Sequence, residues 1–288
     1  FARCRSSRCN AAVPTLLRET IMEWMDVNGA CLRYELAGKA GAPIVVLIHE
    51  IGGCIESWDE TLPALRREFR TLRYDQRGFG LSEKVSGPSM ALDDLVNDIV
   101  AMLDALAIHE PVHVAGSALG SGIAAAFAAR HPARVARLVV QSLVVGANPA
   151  TRDHMFARAS EVERTGMRAQ AKVSLDRSYP LHLRSGNNGE AARFERYRAR
   201  WIGNDPQSFA AINRMLLDMN IEGELGNIKA PTLLIGCRHD VLRAPALVRT
   251  YADKIPDVRY VEADSAHFMH AQTPDLFTRL AVPFLLGK

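Results

Sequence analysis

One stretch constrains this chain more than any other: Val112-His113-Val114-Ala115-Gly116-Ser117-Ala118-Leu119-Gly120-Ser121-Gly122. A β-branched run ends in Gly-x-x-x-Gly, and Ile123 to Arg130 follows with helical character, so the stretch reads as strand, tight turn, helix. This is the setting of a nucleophile elbow, Gly-x-Ser-x-Gly, whose middle residue takes a strained backbone conformation and stands above the sheet. The flanking glycines remove the Cβ atoms that would block so sharp a turn. Here the middle position is Ala118. Neither neighbouring serine replaces it. An elbow centred on Ser117 would need glycine at Ala115 and Leu119, and one centred on Ser121 would need it at Leu119 and Ile123. The turn is complete and its hydroxyl is missing.

Around this stretch, strands and helices alternate. Met22 to Val27 and Cys31 to Leu36 flank Asn28-Gly29, a strong two-residue hairpin signal. Pro43 to Ile48 is a continuous apolar run, as expected of a strand buried on both faces. Trp58, Leu62 and Leu65 are spaced for a helix, Arg70 to Tyr74 reads as a strand, and Asp75 to Ser82 is a glycine-punctuated loop. From Ala91 to Ala107, apolar residues recur at helical spacing with aspartates on the other faces. Val135 to Val145 reads as another buried strand. Alternation resumes with a strand at Pro231 to Gly236, a helix at Ala244 to Ala252, a strand at Val258 to Ala263 and a helix from Thr273. Between the two blocks lie about eighty residues rich in Arg, Glu and Ala, too many for a simple loop, so they read as a helical insertion with a breaker cluster at Ser185 to Gly189. Within it, Phe194, Tyr197 and Trp201 form one aromatic face, and Arg193, Arg196 and Arg200 form the adjacent one.

Composition excludes several classes. The chain has 288 residues, 48% apolar, enough for one large α/β domain carrying an insertion. A net charge of +3 with no Lys/Arg-dense stripe argues against nucleic acid as a partner. No apolar run approaches membrane-spanning length. The five cysteines are scattered, with neither zinc-site spacing nor disulfide-scaffold density, so a reducing, cytoplasmic setting is expected and no metal or other cofactor is called for. Residues 1–21 hold several arginines and no acid before Glu19; transit-peptide composition is one reading, and a disordered tail or upstream extension is the favoured one. The core is then expected at 22–145 and 226–288, with a cap at 146–225.

Three strand ends carry candidate chemistry: Ala118, then Asp240 in Gly236-Cys237-Arg238-His239-Asp240, then His267 in Asp264-Ser265-Ala266-His267-Phe268. The order nucleophile position, acid, histidine is that of the α/β-hydrolase fold. With these residues in hand the chain resembles the α/β-hydrolase superfamily over roughly residues 22 to 288. Leu47-Ile48-His49-Glu50-Ile51-Gly52-Gly53 resembles its His-Gly-x oxyanion segment, and Asp75 to Ser82 resembles its Asp-x-Arg-Gly-x-Gly-x-Ser loop. The insertion resembles the cap of the group that includes 3-oxoadipate enol-lactonases and aminoacrylate hydrolases. The resemblance implies a mostly parallel eight-stranded sheet flanked by helices, with the cap after the sixth strand. It also implies that Asp240 orients His267, that His267 is general base and then general acid, and that the N–H groups of Ile51 and Leu119 form the oxyanion hole.

Two positions depart from the pattern. Glu50 stands where the family has glycine, as a solvated or salt-bridged loop acid or as a carboxylate at the pocket mouth. Ala118 stands where it has serine. In a serine protease, loss of the serine costs about 10⁶ in turnover, while the oxyanion hole and binding retain about 10³ to 10⁴ over water. Such a residual suits only a labile substrate attacked by water. Ala118 is either native, as in family elbows reading Gly-x-Ala-Leu-Gly, or a Ser→Ala replacement that stops turnover. The expected function is hydrolysis of a small ester, lactone or amide-like metabolite. Substrate contacts are expected from Glu50, Phe194, Tyr197 and Trp201, in an apolar pocket with one cap arginine for a carboxylate. A serine-independent lyase, a cofactor-free oxygenase and a non-catalytic binding protein are the alternatives. The partner is a small molecule, and a homodimer is open. His49, His113 and His131 read as structural or surface residues, and Cys54 and Cys237 as small buried hydrophobes.

Overall fold

The computed structural model describes residues 22–147, 152–186 and 189–288. The expected tail at 1–21 and part of the breaker cluster, Asn187 and Asn188, lie outside the described residues. Eight strands form one sheet: β1 (Glu23–Val27), β2 (Ala30–Gly38), β3 (Ile44–Ile48), β4 (Arg70–Tyr74), β5 (Val112–Ser117), β6 (Val135–Gln141), β7 (Thr232–Cys237) and β8 (Val258–Ala263). They lie in the order β1-β2-β4-β3-β5-β6-β7-β8. The pairings of β2 with β1 and β4 are antiparallel and the others are parallel. The hairpin between β1 and β2 turns on Asn28 and Gly29, both at positive φ, as its residue types require. β6 is shorter than the apolar run to Val145 suggests. Ser142 adopts a φ of 52° and carries the chain out of the sheet toward the site.

Side chains alternate across the central strands, so each strand feeds two apolar layers. Val45, Leu47, Ala115 and Val139 pack against helices α1 (Leu62–Glu68) and, from the end of the chain, Pro274–Leu285. Val46, Ile48, Val114 and Val140 face α2 (Leu92–Ala105) and α3 (Leu119–Arg130). Almost all of α3 is buried, and its run of alanines and glycines lets the helix lie close to the sheet.

Between β6 and β7 the described residues build four α-helices: α4 (Arg152–Thr165), α5 (Met167–Ser178), α6 (Glu190–Ile202) and α7 (Pro206–Asp218). The two ends of this insertion meet in an antiparallel bridge between Gly146 and Asn220, so it leaves and re-enters the core at one place. α8 (Pro245–Ala252), the short α9 (Met269–Gln272) and α10 (Pro274–Leu285) complete the chain. The carboxyl ends of β3, β5, β7 and β8 converge beneath the insertion, where ligands of open α/β sheets bind.

Candidate active site

Ala118 sits between β5 and α3 at φ 48°, ψ −115°, a strained conformation for a residue with a Cβ. Its neighbours show why the turn needs glycine. A Cβ on Gly116 would lie 2.3 Å from the Gly120 carbonyl oxygen, and one on Gly120 would lie 2.2 Å from that of Ile48. Leu119 opens α3, so its N–H has no acceptor within the helix and points out at the positive end of the helix dipole. The flanking serines are spent on structure. Ser117 Oγ donates to Gln141 Oε1 at 2.9 Å, and Ser121 Oγ donates to the Ala118 carbonyl at 2.5 Å.

Asp240 and His267 meet. His267 Nδ1 lies 2.8 Å from Asp240 Oδ2, and both side chains are buried. The other carboxylate oxygen accepts the N–H groups of Leu242 at 2.8 Å and Arg243 at 2.9 Å. Burial by itself would raise the Asp240 carboxyl. The His267 charge and hydrogen bonds from His267, Ser142 and the Arg243 amide outweigh it and hold the group below its ordinary range. Asp240 is thus held as an anion against the Nδ1 edge of the ring. Gln141 then ties the parts together. Its side-chain amide donates to the His267 carbonyl at 2.6 Å and to Ser142 Oγ at 2.7 Å, while its oxygen holds Ser117. Nothing in the sequence singled out Gln141 or Ser142, because both read as the middle of a buried strand.

The loop carrying Ile51 is clamped from two sides. On one side His49 Nε2 accepts the Gln76 N–H at 3.0 Å, and Nδ1 donates to the Glu50 carbonyl at 2.8 Å. Burial pushes this ring below the usual histidine value and keeps it neutral, as that pattern of one donor and one acceptor requires. On the other side Glu50 accepts from Ser57 Oγ at 3.0 Å and lies 3.0 Å from His270 Nε2. Glu50 is fully buried, so the sequence reading of a solvated acid or one at the pocket mouth gives way to that of a paired one. Burial would raise its carboxyl, but the His270 charge and hydrogen bond hold it far below the usual range.

A cavity of about 210 Å³ lies over the elbow and is lined by Ile51, Ala118, Leu119 and His267 from the core, with Arg158 and Leu216 from the insertion. The aromatic face of α6 largely bypasses it. Tyr197 stacks on Phe268 with ring centres 5.3 Å apart, and Phe194 meets Tyr179 at 5.1 Å. Trp201 alone of the three reaches a smaller adjoining recess shared with Ile51 and His267. The arginines expected to serve a carboxylate also turn elsewhere: Arg193 and Arg196 face Glu60, at 3.9 and 2.7 Å. Helical spacing placed these side chains on faces but could not say which element each face would meet.

Cys54, Glu56 and Asp75 offer three potential metal ligands within 4.8 Å of one another. Their chemistry opposes a cation. Asp75 is taken up by Arg33 and by the amides of Ile55 and Leu81, Glu56 by Arg33, and burial holds the Cys54 thiol well above its usual value. Cys54 and Cys237 are both buried, as small apolar side chains are. Among the described residues no helix is long and apolar enough to cross a membrane.

Residues 43–274 match the family model described as alpha/beta hydrolase fold. A protein of Azorhizobium caulinodans named "Putative carbamate hydrolase RutD" is 31% identical over 268 residues, 91% of this chain and 98% of that protein. Pyrrolizixenacetamide deacetylase of Xenorhabdus hominickii is 25% identical over 93% of this chain and 99% of its own length. Among solved structures, the enol-lactonase from Burkholderia xenovorans LB400 superposes with a TM-score of 0.85 at 29% identity, covering 92% of this chain and 100% of that one.

Proposed function

The chain belongs to the alpha/beta hydrolase fold family, and from that premise we propose that it hydrolyses a small ester, lactone or amide-like metabolite with water, not a serine, as the attacking group. One observation carries the reading. His267, paired with Asp240, lines the same cavity as Ala118, whose methyl group cannot attack. With Nδ1 held by Asp240, His267 Nε2 takes a proton from water as the oxygen attacks the substrate carbonyl. The negative charge that develops on the carbonyl oxygen is met by the N–H groups of Leu119 and Ile51. Collapse of the tetrahedral intermediate breaks the bond to the leaving group, which receives the proton from His267. Asp240 remains ionised throughout.

Catalysis without a covalent intermediate restricts the substrate. Oxyanion stabilisation and binding alone supply about 10³ to 10⁴ over water, which is enough for a carbonyl already labile toward water. A carbamate, an acetamide and an enol-lactone are what the names of the similar proteins specify, and all are carbonyl substrates of small molecules. The test is a turnover screen of carbamates, enol-lactones and amides with the purified protein and its His267→Ala variant. Turnover that needs His267, with water oxygen entering the product and no acyl-protein species by mass, is the expected result. Turnover that persists in His267→Ala removes the mechanism. A product formed by elimination or oxygenation assigns the pair to a lyase or an oxygenase instead.

A further inference from the structure

The cavity over Ala118 and His267 contains three arginines: Arg158 from α4, Arg177 from α5 and Arg243 from the segment after β7. No carboxylate stands among the described residues that line it. Elsewhere in the insertion several arginines are neutralised. Arg152 meets Asp218 at 3.0 Å, Arg184 meets Asp176 at 2.8 Å, Arg196 meets Glu60 at 2.7 Å, and Arg214 pairs with Glu163. Arg158 and Arg177 have no such carboxylate partner among the described residues. Arg158 lies with its guanidinium over the Phe209 ring, 5.2 Å from the centre, and its Nε is buried without a hydrogen-bond partner. Burial and the charge of Arg177 push it down to about 10, so it stays charged at neutral pH in surroundings that oppose charge. Arg243 is already served: it donates to the carbonyl oxygens of Gly146 at 2.8 Å and Leu242 at 3.2 Å, and the Asp240 carboxylate lies near enough to favour its charge.

Two like charges, Arg158 and Arg177, facing a partly buried cavity with no acid in its lining are unfavourable unless an anion enters. A planar guanidinium over an aromatic ring, with donors unspent, matches a carboxylate in shape and charge. We propose that the substrate is an organic acid whose carboxylate is held by Arg158, with Arg177 at the mouth, while its scissile carbonyl lies at Ala118. The proposal deepens the hydrolase reading and rests on it for the position of the carbonyl. A volume of about 210 Å³ limits the acid to a small metabolite.

Calorimetric titration of the whole protein with glutarate and with its neutral counterpart glutaramide tests this directly. Glutarate should bind at least about tenfold more tightly, the value of one charge-assisted contact, and should weaken as salt is added. Arg158→Gln should lose about tenfold in glutarate affinity. Arg177→Gln, at an exposed position, should lose severalfold, and Arg196→Gln should lose nothing. Equal affinity for the acid and the amide, no binding of glutarate, or wild-type affinity in both Arg158→Gln and Arg177→Gln overturns the proposal. Its failure is distinct from that of the hydrolase reading. Glutarate binding without any His267-dependent turnover keeps the anion site and removes the reaction, whereas turnover confined to neutral substrates does the reverse.

Discussion

His270 Nε2 lies 3.0 Å from Glu50 Oε2, and neither side chain touches solvent. The contact joins the loop that carries Ile51 to the segment just after His267, 220 residues away in sequence. Glu50 replaces a glycine of the family pattern, and the structure shows what the replacement does. It anchors the loop from beneath, with Gly53 so close to the carboxylate that a Cβ there would lie 2.6 Å from it. Ile51 is then held on a loop fixed from both sides, as the oxyanion role proposed for its N–H requires.

Glu50→Gln should destabilise the protein by about 1–3 kcal/mol, because an amide cannot accept from both Ser57 and His270 without leaving a buried polar group unsatisfied. Urea denaturation at neutral pH measures it. A midpoint equal to that of the unmodified protein would show that the pair contributes nothing to the fold.

The same pair sets an acid limit. The Glu50 carboxyl lies below its unfolded value of 4.5, so its contribution is complete above that pH and is lost as pH falls toward the folded value. Asp240, also depressed, adds to the loss in the same direction. Denaturation midpoints collected from pH 6 downward should fall below about pH 4.5, and the fall should be shallower in Glu50→Gln. An identical pH profile in the variant would contradict this origin of the acid loss.

Asp240→Asn and His267→Ala should each lower turnover by about 10² to 10⁴, the range for a positioned acid-base group. Both should leave far-ultraviolet circular dichroism unchanged. A smaller effect for His267→Ala than for Gln141→Ala would place the essential group elsewhere.

Ala118→Ser should create a nucleophile in a turn already built for one. Oγ would stand in the cavity with His267, and 4-nitrophenyl acetate should give a burst of 4-nitrophenol with acetylation of the new serine, detectable by mass. Absence of both burst and adduct would mean that the His267 ring does not serve the elbow position.

Gly120→Ala should be among the most damaging small changes, costing about 1–3 kcal/mol or more, because the added methyl group meets backbone that cannot retreat. Its Cβ would lie 2.2 Å from the Ile48 carbonyl, whereas a Cβ at Gly223 meets nothing within 4 Å. Thermal melts of Gly120→Ala and Gly223→Ala should therefore diverge, the second staying close to the unmodified protein.

Local chemistry wrote much of this protein directly into its sequence. The Asn28-Gly29 hairpin, the two-sided apolar strands, the glycines around Ala118 and the order Ala118, Asp240, His267 each depend on residues near one another in the chain or on a fixed strand order. Periodicity and turn chemistry report such features without knowledge of the fold. The destinations of faces were decided only by tertiary packing. The aromatic face of α6 was recognisable, yet whether it lined the cavity or closed the joint between insertion and core depended on Phe268, far away in sequence. Arg193 and Arg196 next to that face met Glu60, while Arg158, Arg177 and Arg243, with no shared pattern, came together over the elbow. Glu50 found His270 in the same way. A helix fixes which side chains share a side, but the partner of that side, and so the charge and shape of the cavity, arises only when distant segments compete for the same space.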